Sequence, residues 1–288
     1  MAKQARSLVG KIVFITGAAR GIGRATATAL IAEGAHVAIG DLDEDLAKIT
    51  AKEIGASAYK LDVTDHAGFS AVLDAVEHDL GPIDVLINNA GIMPLVMFED
   101  ESAETTARQI AINLGAVIHG TRDAIGRMKP RGKGHIVNIA SMAGVVPTPG
   151  AATYCATKHA VVGLSESVYW ELKGTGVDIS YVMPALVKTE LAVGVKQTRA
   201  SNAIEPEVVA GEIVRGLKTG RTVIYAPRSM GPITKVSSTL PRKVGEKIMT
   251  ASGSDHLLAD ASASGDRLAY EKRAAESAPA ADAEHAAS

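Results

Sequence analysis

The sequence predicts a single α/β domain in which a doubly wound parallel sheet is covered by helices on both faces. Three observations point there. Short, almost continuously apolar runs read as strands buried on both sides, stretches with apolar residues at helical spacing stand between them, and glycine or acidic residues mark the changeovers. Regular alternation of this kind calls for right-handed crossovers, and hence for a parallel sheet.

The elements follow in order. KIVFIT at 11–16 is the first strand and stops at a glycine cluster. Residues 22–33 carry helical apolar spacing and end at Gly34, a left-handed stop. A strand at 36–41, a helix opening near Asp43, a strand at 57–61, a helix opening near Asp65 and a strand at 83–88 come next. A long helix over 102–128, a strand at 135–140 and a helix from about 153 continue the pattern. A strand at 178–183, a helix with Pro206 in its first turn and a strand at 222–225 complete it. After an extension at 1–7, one domain therefore accounts for 8–228. Residues 229–250 mix basic and apolar positions and are expected to form a C-terminal helical segment. Residues 251–288 are rich in Ala, Ser, Asp and Glu, with almost no large apolar group after Tyr270, and are expected to be a mobile tail.

Composition narrows the function. Hydrophobic residues make up 47% and charged residues 22% of the 288, ample for a buried core. Thirty basic and 32 acidic residues give a formal net charge of −2, so no global field attracts nucleic acid or an anionic membrane. The single cysteine, Cys155, excludes an internal disulfide and a cysteine-based zinc cage, and it reads as a packed small side chain rather than a nucleophile. His119, His135 and His159 lack metal-ligand spacing, and no metal is expected. The N-terminal stretch lacks the apolar core of a secretory signal, and no run of about eighteen apolar residues occurs, so a cytoplasmic location is expected.

The first strand runs into TGAARGIG, which sets Gly17, Gly21 and Gly23 between a strand and the start of a helix. Glycines there permit a tight turn and a close approach of a pyrophosphate, which the unpaired amides and dipole of the helix N-terminus favour. Taken alone, the glycines explain no more than a tight turn. Asp41 adds the second half of the signature: about twenty residues on, at the end of the second strand, its carboxylate suits the hydroxyls of an adenosine ribose and repels a 2′-phosphate. NAD is therefore expected over NADP, although Arg20 in the loop is a possible phosphate partner. Asp43, Glu44 and Asp45 read as first-turn charges of the next helix.

TGAARGIG at 16–23, Asp62-Val63, NNAG at 88–91, Asn113, Ser141 and Tyr154-Cys-Ala-Thr-Lys158 occur together and in this order. On these motifs the chain, over residues 8–228, resembles the short-chain dehydrogenase/reductase family. The resemblance implies a Rossmann-like fold whose loop residues Gly17, Arg20, Gly21, Ile22 and Gly23 cradle NAD. It implies adenine contacts from Asp62 and Val63, and a cleft lined by Asn89, Ala90 and Gly91. Val187 and Thr189 would grip the carboxamide, and Lys158 the nicotinamide ribose. Asn113 would bend its helix and anchor a water that links Lys158 to solvent. A homodimer or homotetramer is also implied, packed through the helices that carry Asn113 and Tyr154.

The chemistry of Tyr154 and Lys158 can be argued without the family. Residues four apart share a helix face, and a neighbouring ammonium should move a phenol from its ordinary pKa of about 10 toward the range where a general acid/base works. Ser141, just past a strand end, is placed to steady the substrate oxygen. Where the family has Pro-Gly, this sequence has Pro184-Ala185, which leaves the path of the backbone over the nicotinamide open. The loop 190–205 should act as a substrate lid. Its apolar Leu191, Ala192, Val193 and Val195 face a second apolar run, Met93, Leu95, Val96 and Met97, and together they suggest a lipophilic alcohol or ketone. Two alternatives stand beside this reading: an NADPH-dependent 3-oxoacyl reductase with the same tetrad, and a non-catalytic NAD sensor or scaffold. The segment 229–250 either packs on its own domain or touches a subunit or membrane surface.

Overall fold

A computed structural model describes residues 5–195, 203–237 and 264–277, together with positions 243, 246, 247, 250, 258 and 261. Strands β1 (Ile12–Thr16), β2 (His36–Asp41), β3 (Ser57–Lys60), β4 (Val85–Asn88), β5 (Gly134–Ile139), β6 (Val177–Pro184) and β7 (Val223–Ala226) form one parallel sheet in the order β3-β2-β1-β4-β5-β6-β7. Successive strand residues alternate between faces, so each strand feeds two cores. On one face Val13, Ile15, Val37 and Ile39 meet Leu30 of α1 (Gly21–Ala32), Ala47 of α2 (Glu44–Ile54) and Val209 and Ile213 of α7 (Pro206–Thr219). On the other, Phe14, Leu86, Ile136 and Ile179 meet Phe69 and Leu73 of α3 (His66–Leu80), Ala124 of α5 (Ala116–Met128) and Val168 of α6 (Ala152–Glu171). Each large side chain fully buried this way stabilises the fold by roughly 1.5–3 kcal/mol. The fold is thus the α/β Rossmann-like architecture expected from the sequence.

Helix boundaries follow local chemistry. Asp43 caps α2 by accepting from the Leu46 amide, and Asp65 caps α3 by accepting from Gly68. Gly55 and Gly220 close α2 and α7 in the left-handed conformation. Strand order reverses between β1 and β4, which opens a crevice at the carboxyl ends of the strands.

One reading is refined and one needs correction. The long helix expected over 102–128 is α4 (Ala103–Ile110), a π-helical turn (Ala111–Gly115) and α5, and the extra residue in the π turn rotates Asn113 into the interior, where it is wholly buried. The mobile tail expected over 251–288 does not describe 265–276: Gly265–Arg267 is a 3-10 turn that leads into a helix, Leu268–Glu276. Arg267, Tyr270 and Ala274 are buried, and their i, i+3, i+7 spacing gives the short helix one packed face. The rest of that expected tail, apart from positions 258 and 261, lies outside the described residues, as do 196–202 of the expected lid and residues 1–4 of the N-terminal extension. In the segment 229–250, α8 (Met230–Ser237) packs on its own domain, with Thr234 buried and its hydroxyl 3.8 Å from the Met142 sulfur. Among the described residues no helix is long and apolar enough to cross a membrane.

The entry to β6 depends on Gly176, whose φ is +81° and whose added Cβ would lie 2.0 Å from the Gly132 carbonyl oxygen. Gly176→Ala should therefore cost roughly 1–3 kcal/mol in backbone strain, with further loss from the overlap. A urea melt should show a lower midpoint at unchanged slope, and an unmoved midpoint would contradict the geometry.

Candidate active site

The loop after β1 is fixed by contacts that only glycine allows. Gly17, at φ +62°, donates to the Gly40 carbonyl at 2.7 Å, and a Cβ on it would stand 2.7 Å from the Ala90 Cα. A Cβ on Gly23 would come within 2.7 Å of the Ala18 Cα, the Asn89 amide nitrogen and the Gly17 oxygen. The NNAG stretch ties this loop down. Thr16 Oγ1 accepts from the Asn89 and Ala90 amides at 3.0 and 3.1 Å, and Asn89 Nδ2 donates to the Thr16 and Gly17 carbonyls at 2.8 Å. The α1 N-terminus has no side-chain cap, and Gly21 and Ile22 line the cleft. That end of α1 therefore fits a pyrophosphate.

Asp41 stands at the end of β2 with both oxygens held: Oδ2 accepts from Ala19 N at 3.0 Å and Oδ1 from Asp43 N at 3.2 Å. Burial pushes its carboxyl above the ordinary value, while those two amides pull it back. Arg20 is committed elsewhere, pairing with Asp43 at 2.7 Å and Glu190 at 3.1 Å. Asp62 and Val63 line the same end of the cleft, Asp62 Oδ1 being fixed by the Thr64 amide and hydroxyl at 2.8 and 2.7 Å.

At the other end of the cleft wall, Ser141 follows β5, and Tyr154 and Lys158 come from α6. Lys158 Nζ donates to the Ile139 carbonyl at 2.8 Å and lies 5.7 Å from the centre of the Tyr154 ring. Ser141 Oγ accepts from the Ala143 amide at 3.1 Å. Asn113 stands just behind the lining: its Oδ1 accepts from Ile92 N and its Nδ2 donates to Ile92 O, both at 2.8 Å, with Thr157 Oγ1 at 3.4 Å. Gly91 joins the group, since a Cβ there would be 3.1 Å from Asn113 Oδ1 and 3.7 Å from Lys158 Nζ. The four residues singled out as catalytic are thus brought together.

Their electrostatics differ from the expectation. Burial pushes the Tyr154 phenol up to about 12, against a lowering hydrogen bond from Ser141, and burial brings Lys158 down to about 8. Lys158 does not acidify the phenol on balance, because the dry wall that holds the pair penalises either charge. Cys155 is buried and its thiol is likewise raised by burial, as suits a packed side chain.

The cleft measures about 2250 Å³, larger than the roughly 300–1,000 Å³ of a site for one small molecule, so it has room for a dinucleotide and a second compound. Val187 and Thr189 line it beyond β6. The change from Pro-Gly to Pro184-Ala185 needs no special backbone, since no non-glycine among the described residues has positive φ. Met93, Val146, Leu191, Val193 and Val195 line the remaining end. Tyr270 lines it too, a residue that sequence reasoning missed, as it missed Arg267 behind it. The signal available was their helical spacing with Ala274 inside a segment otherwise poor in large apolar groups. Among the described residues, no group of three or more His, Cys, Asp or Glu is arranged to hold a metal.

Residues 11–200 match the family model described as short chain dehydrogenase. A 3-alpha-(or 20-beta)-hydroxysteroid dehydrogenase of Mycobacterium bovis is 37% identical over 213 residues, 72% of this chain and 82% of the relative. A 2,5-dichloro-2,5-cyclohexadiene-1,4-diol dehydrogenase of Sphingobium indicum is 38% identical over 196 residues, 66% of this chain and 78% of the relative. Among solved structures, a short chain dehydrogenase/reductase from Burkholderia phymatum in complex with NAD superposes with a TM-score of 0.74 at 27% identity, covering 86% of this chain and 98% of that one.

The lowered Lys158 carries a pH signature. Between about 8 and its ordinary 10.5 the folded chain releases this proton while the unfolded chain keeps it, so the contribution to stability rises with pH. Tyr154, ordinarily 10.0 and raised in the fold, works the other way only above that value. Wild type should therefore gain stability relative to Lys158→Met as pH rises from about 8 toward 10 in calorimetric melts. A constant difference across that window would refute the burial argument.

Proposed function

This chain belongs to the short-chain dehydrogenase/reductase family, and from that premise we propose that it is an NAD-dependent oxidoreductase that interconverts a lipophilic secondary alcohol and its ketone. The observation that carries the reading is the meeting of Ser141, Tyr154 and Lys158 on one cleft wall whose far end presents an anchored Asp41. The dinucleotide, when bound, supplies or accepts hydride at its nicotinamide ring.

The protein's own groups handle the oxygen. In ketone reduction Tyr154 donates its phenolic proton to the oxygen that becomes the alcohol, and Ser141 holds that oxygen by a hydrogen bond. A phenol raised to about 12 keeps its proton at neutral pH, yet an alkoxide is a stronger base and still takes it. In alcohol oxidation the phenol must first lose that proton, a loss favoured by an ammonium at Lys158. Lys158 would hold the ribose next to the nicotinamide, and Asn113 fixes the Ile92 backbone beside them.

Cofactor choice rests on charge. A 2′-phosphate would meet Asp41 and Asp43, while Arg20, the nearby cation that the sequence offered as a phosphate partner, is already paired with Asp43 and Glu190. Substrate class rests on the apolar lining, from Met93 across to Leu191 and Val193.

Tyr154→Phe should bind NADH as wild type does and lose about 10²–10⁴-fold in kcat across a panel of steroid, retinoid, fatty and short secondary alcohols. Activity confined to small polar sugars, or a Phe variant that still turns over, would overturn the reading. Asp41→Ala should narrow the preference for NAD over NADP, measured as a ratio of kcat/KM values. A wild-type enzyme that already prefers NADP would refute the cofactor assignment.

A further inference from the structure

The segment leaving β4 carries its backbone polar groups into the interior. Ile92 gives its N–H and C=O to Asn113. Met93, the next residue, gives its N–H to the Tyr270 hydroxyl at 2.7 Å and takes a bond from Arg267 Nη2 on its carbonyl at 2.8 Å. Leu95 N then donates to Glu271 Oε1 at 3.3 Å. The C-terminal segment therefore continues, residue by residue, a wall that Asn113 begins.

Arg267 binds the opposite wall as well. It is 1% exposed, and its Nη1 donates to the Leu191 and Val193 carbonyls at 2.8 and 2.7 Å, while Nε pairs with Glu271 at 3.0 Å. One guanidinium thus fastens both apolar walls of the substrate end to the C-terminal helix. Its carbon lies 4.8 Å from the centre of the Tyr270 ring, which fixes that ring in place. A buried arginine with a single carboxylate partner is costly unless its other donors are used, and here three carbonyls use them.

Tyr270 is 6% exposed and lines the cleft. Its oxygen accepts from Met93, and among the described residues its own proton has no acceptor. Met93, whose amide Tyr270 takes, packs in one apolar cluster with Tyr154, and both phenols line the same cleft. A buried hydroxyl with a spare donor at the rim of an apolar pocket calls for an acceptor from the ligand.

We propose that Tyr270 is a specificity-determining residue that donates a hydrogen bond to a second oxygen of the substrate, apart from the one held by Ser141 and Tyr154, and that Arg267 is the positioning residue that holds it there. This rests on the function proposed above and narrows its substrate class to lipophilic compounds with two oxygen functions, such as diols, hydroxyketones or diketones. A compound with one oxygen leaves the donor at Tyr270 unpaired in a dry pocket, which lowers its affinity.

The test uses ring diketones on cyclohexane, decalin and steroid frameworks, each beside the monoketone of the same skeleton. Binding is read by calorimetry on the full chain with NADH, in a Tyr154→Phe background that cannot turn the compounds over. At least one diketone should bind about 3–10-fold more tightly than its monoketone, and adding Tyr270→Phe should close that gap, by loss at the diketone or gain at the monoketone, while leaving NADH affinity unchanged. Ring-fluorinated tyrosine at position 270, a stronger donor that still accepts from Met93, should widen it. In the otherwise wild-type enzyme Arg267→Lys should raise KM for the diketone more than it lowers kcat. The proposal falls if no diketone is favoured, if Tyr270→Phe leaves the gap intact, or if that change weakens both compounds equally, which would mark the hydroxyl as structural only. Failure of wild type to turn over any member of the panel would instead reject the broader oxidoreductase reading, and the binding arms would still decide this one.

Discussion

Residues 89–96 cross the carboxyl edge of the sheet without a partner strand, and with 92–95 buried and the rest partly so, their amides need partners from elsewhere. Thr16 takes the amides of residues 89 and 90, Asn113 takes that of 92, Tyr270 that of 93, Glu271 that of 95, and the Gly150 carbonyl that of 96. Those acceptors come from β1, the π turn, the C-terminal helix and the loop before α6. The site can be read as the set of elements gathered to satisfy this one piece of backbone. Its chemistry then follows from which side chains those elements carry inward.

This explains why much of the site was legible in the sequence and part was not. The glycine loop, Asp41, Ser141 and the Tyr154/Lys158 pair sit at ends or faces of elements whose periodicity is plain, so their positions follow once the strands and helices are drawn. The π turn at Ala111–Gly115 has no such signature in the apolar pattern, and only the family resemblance pointed to a bend at Asn113. The C-terminal helix was hidden for another reason. Its docking depends on an arginine and a tyrosine that pair with backbone carbonyls and amides, whereas its most prominent apolar residue, Leu268, is 72% exposed.

The electrostatics of the pair were also beyond sequence reasoning. Helical spacing correctly places an ammonium beside a phenol, but it says nothing about how dry the wall is. With both groups buried, desolvation outweighs their mutual influence and favours the uncharged form of each. The same dryness that resists ionisation strengthens any hydrogen bond made to a reacting oxygen there.

Glu190, in the loop after β6, pairs with Arg20 of the glycine loop and with Arg273 of the C-terminal helix at 3.1 and 3.0 Å, all three side chains being about a third to a half exposed. Arg267, a few residues away in sequence from Arg273, reaches the same loop through the Leu191 and Val193 carbonyls in the interior. Residues 190–193 are therefore fastened on two sides that answer differently to ionic strength. Dissolved salt, which screens charges beyond about 8–10 Å near physiological concentration and competes at exposed pairs, slackens the Glu190 side and leaves the Arg267 side untouched.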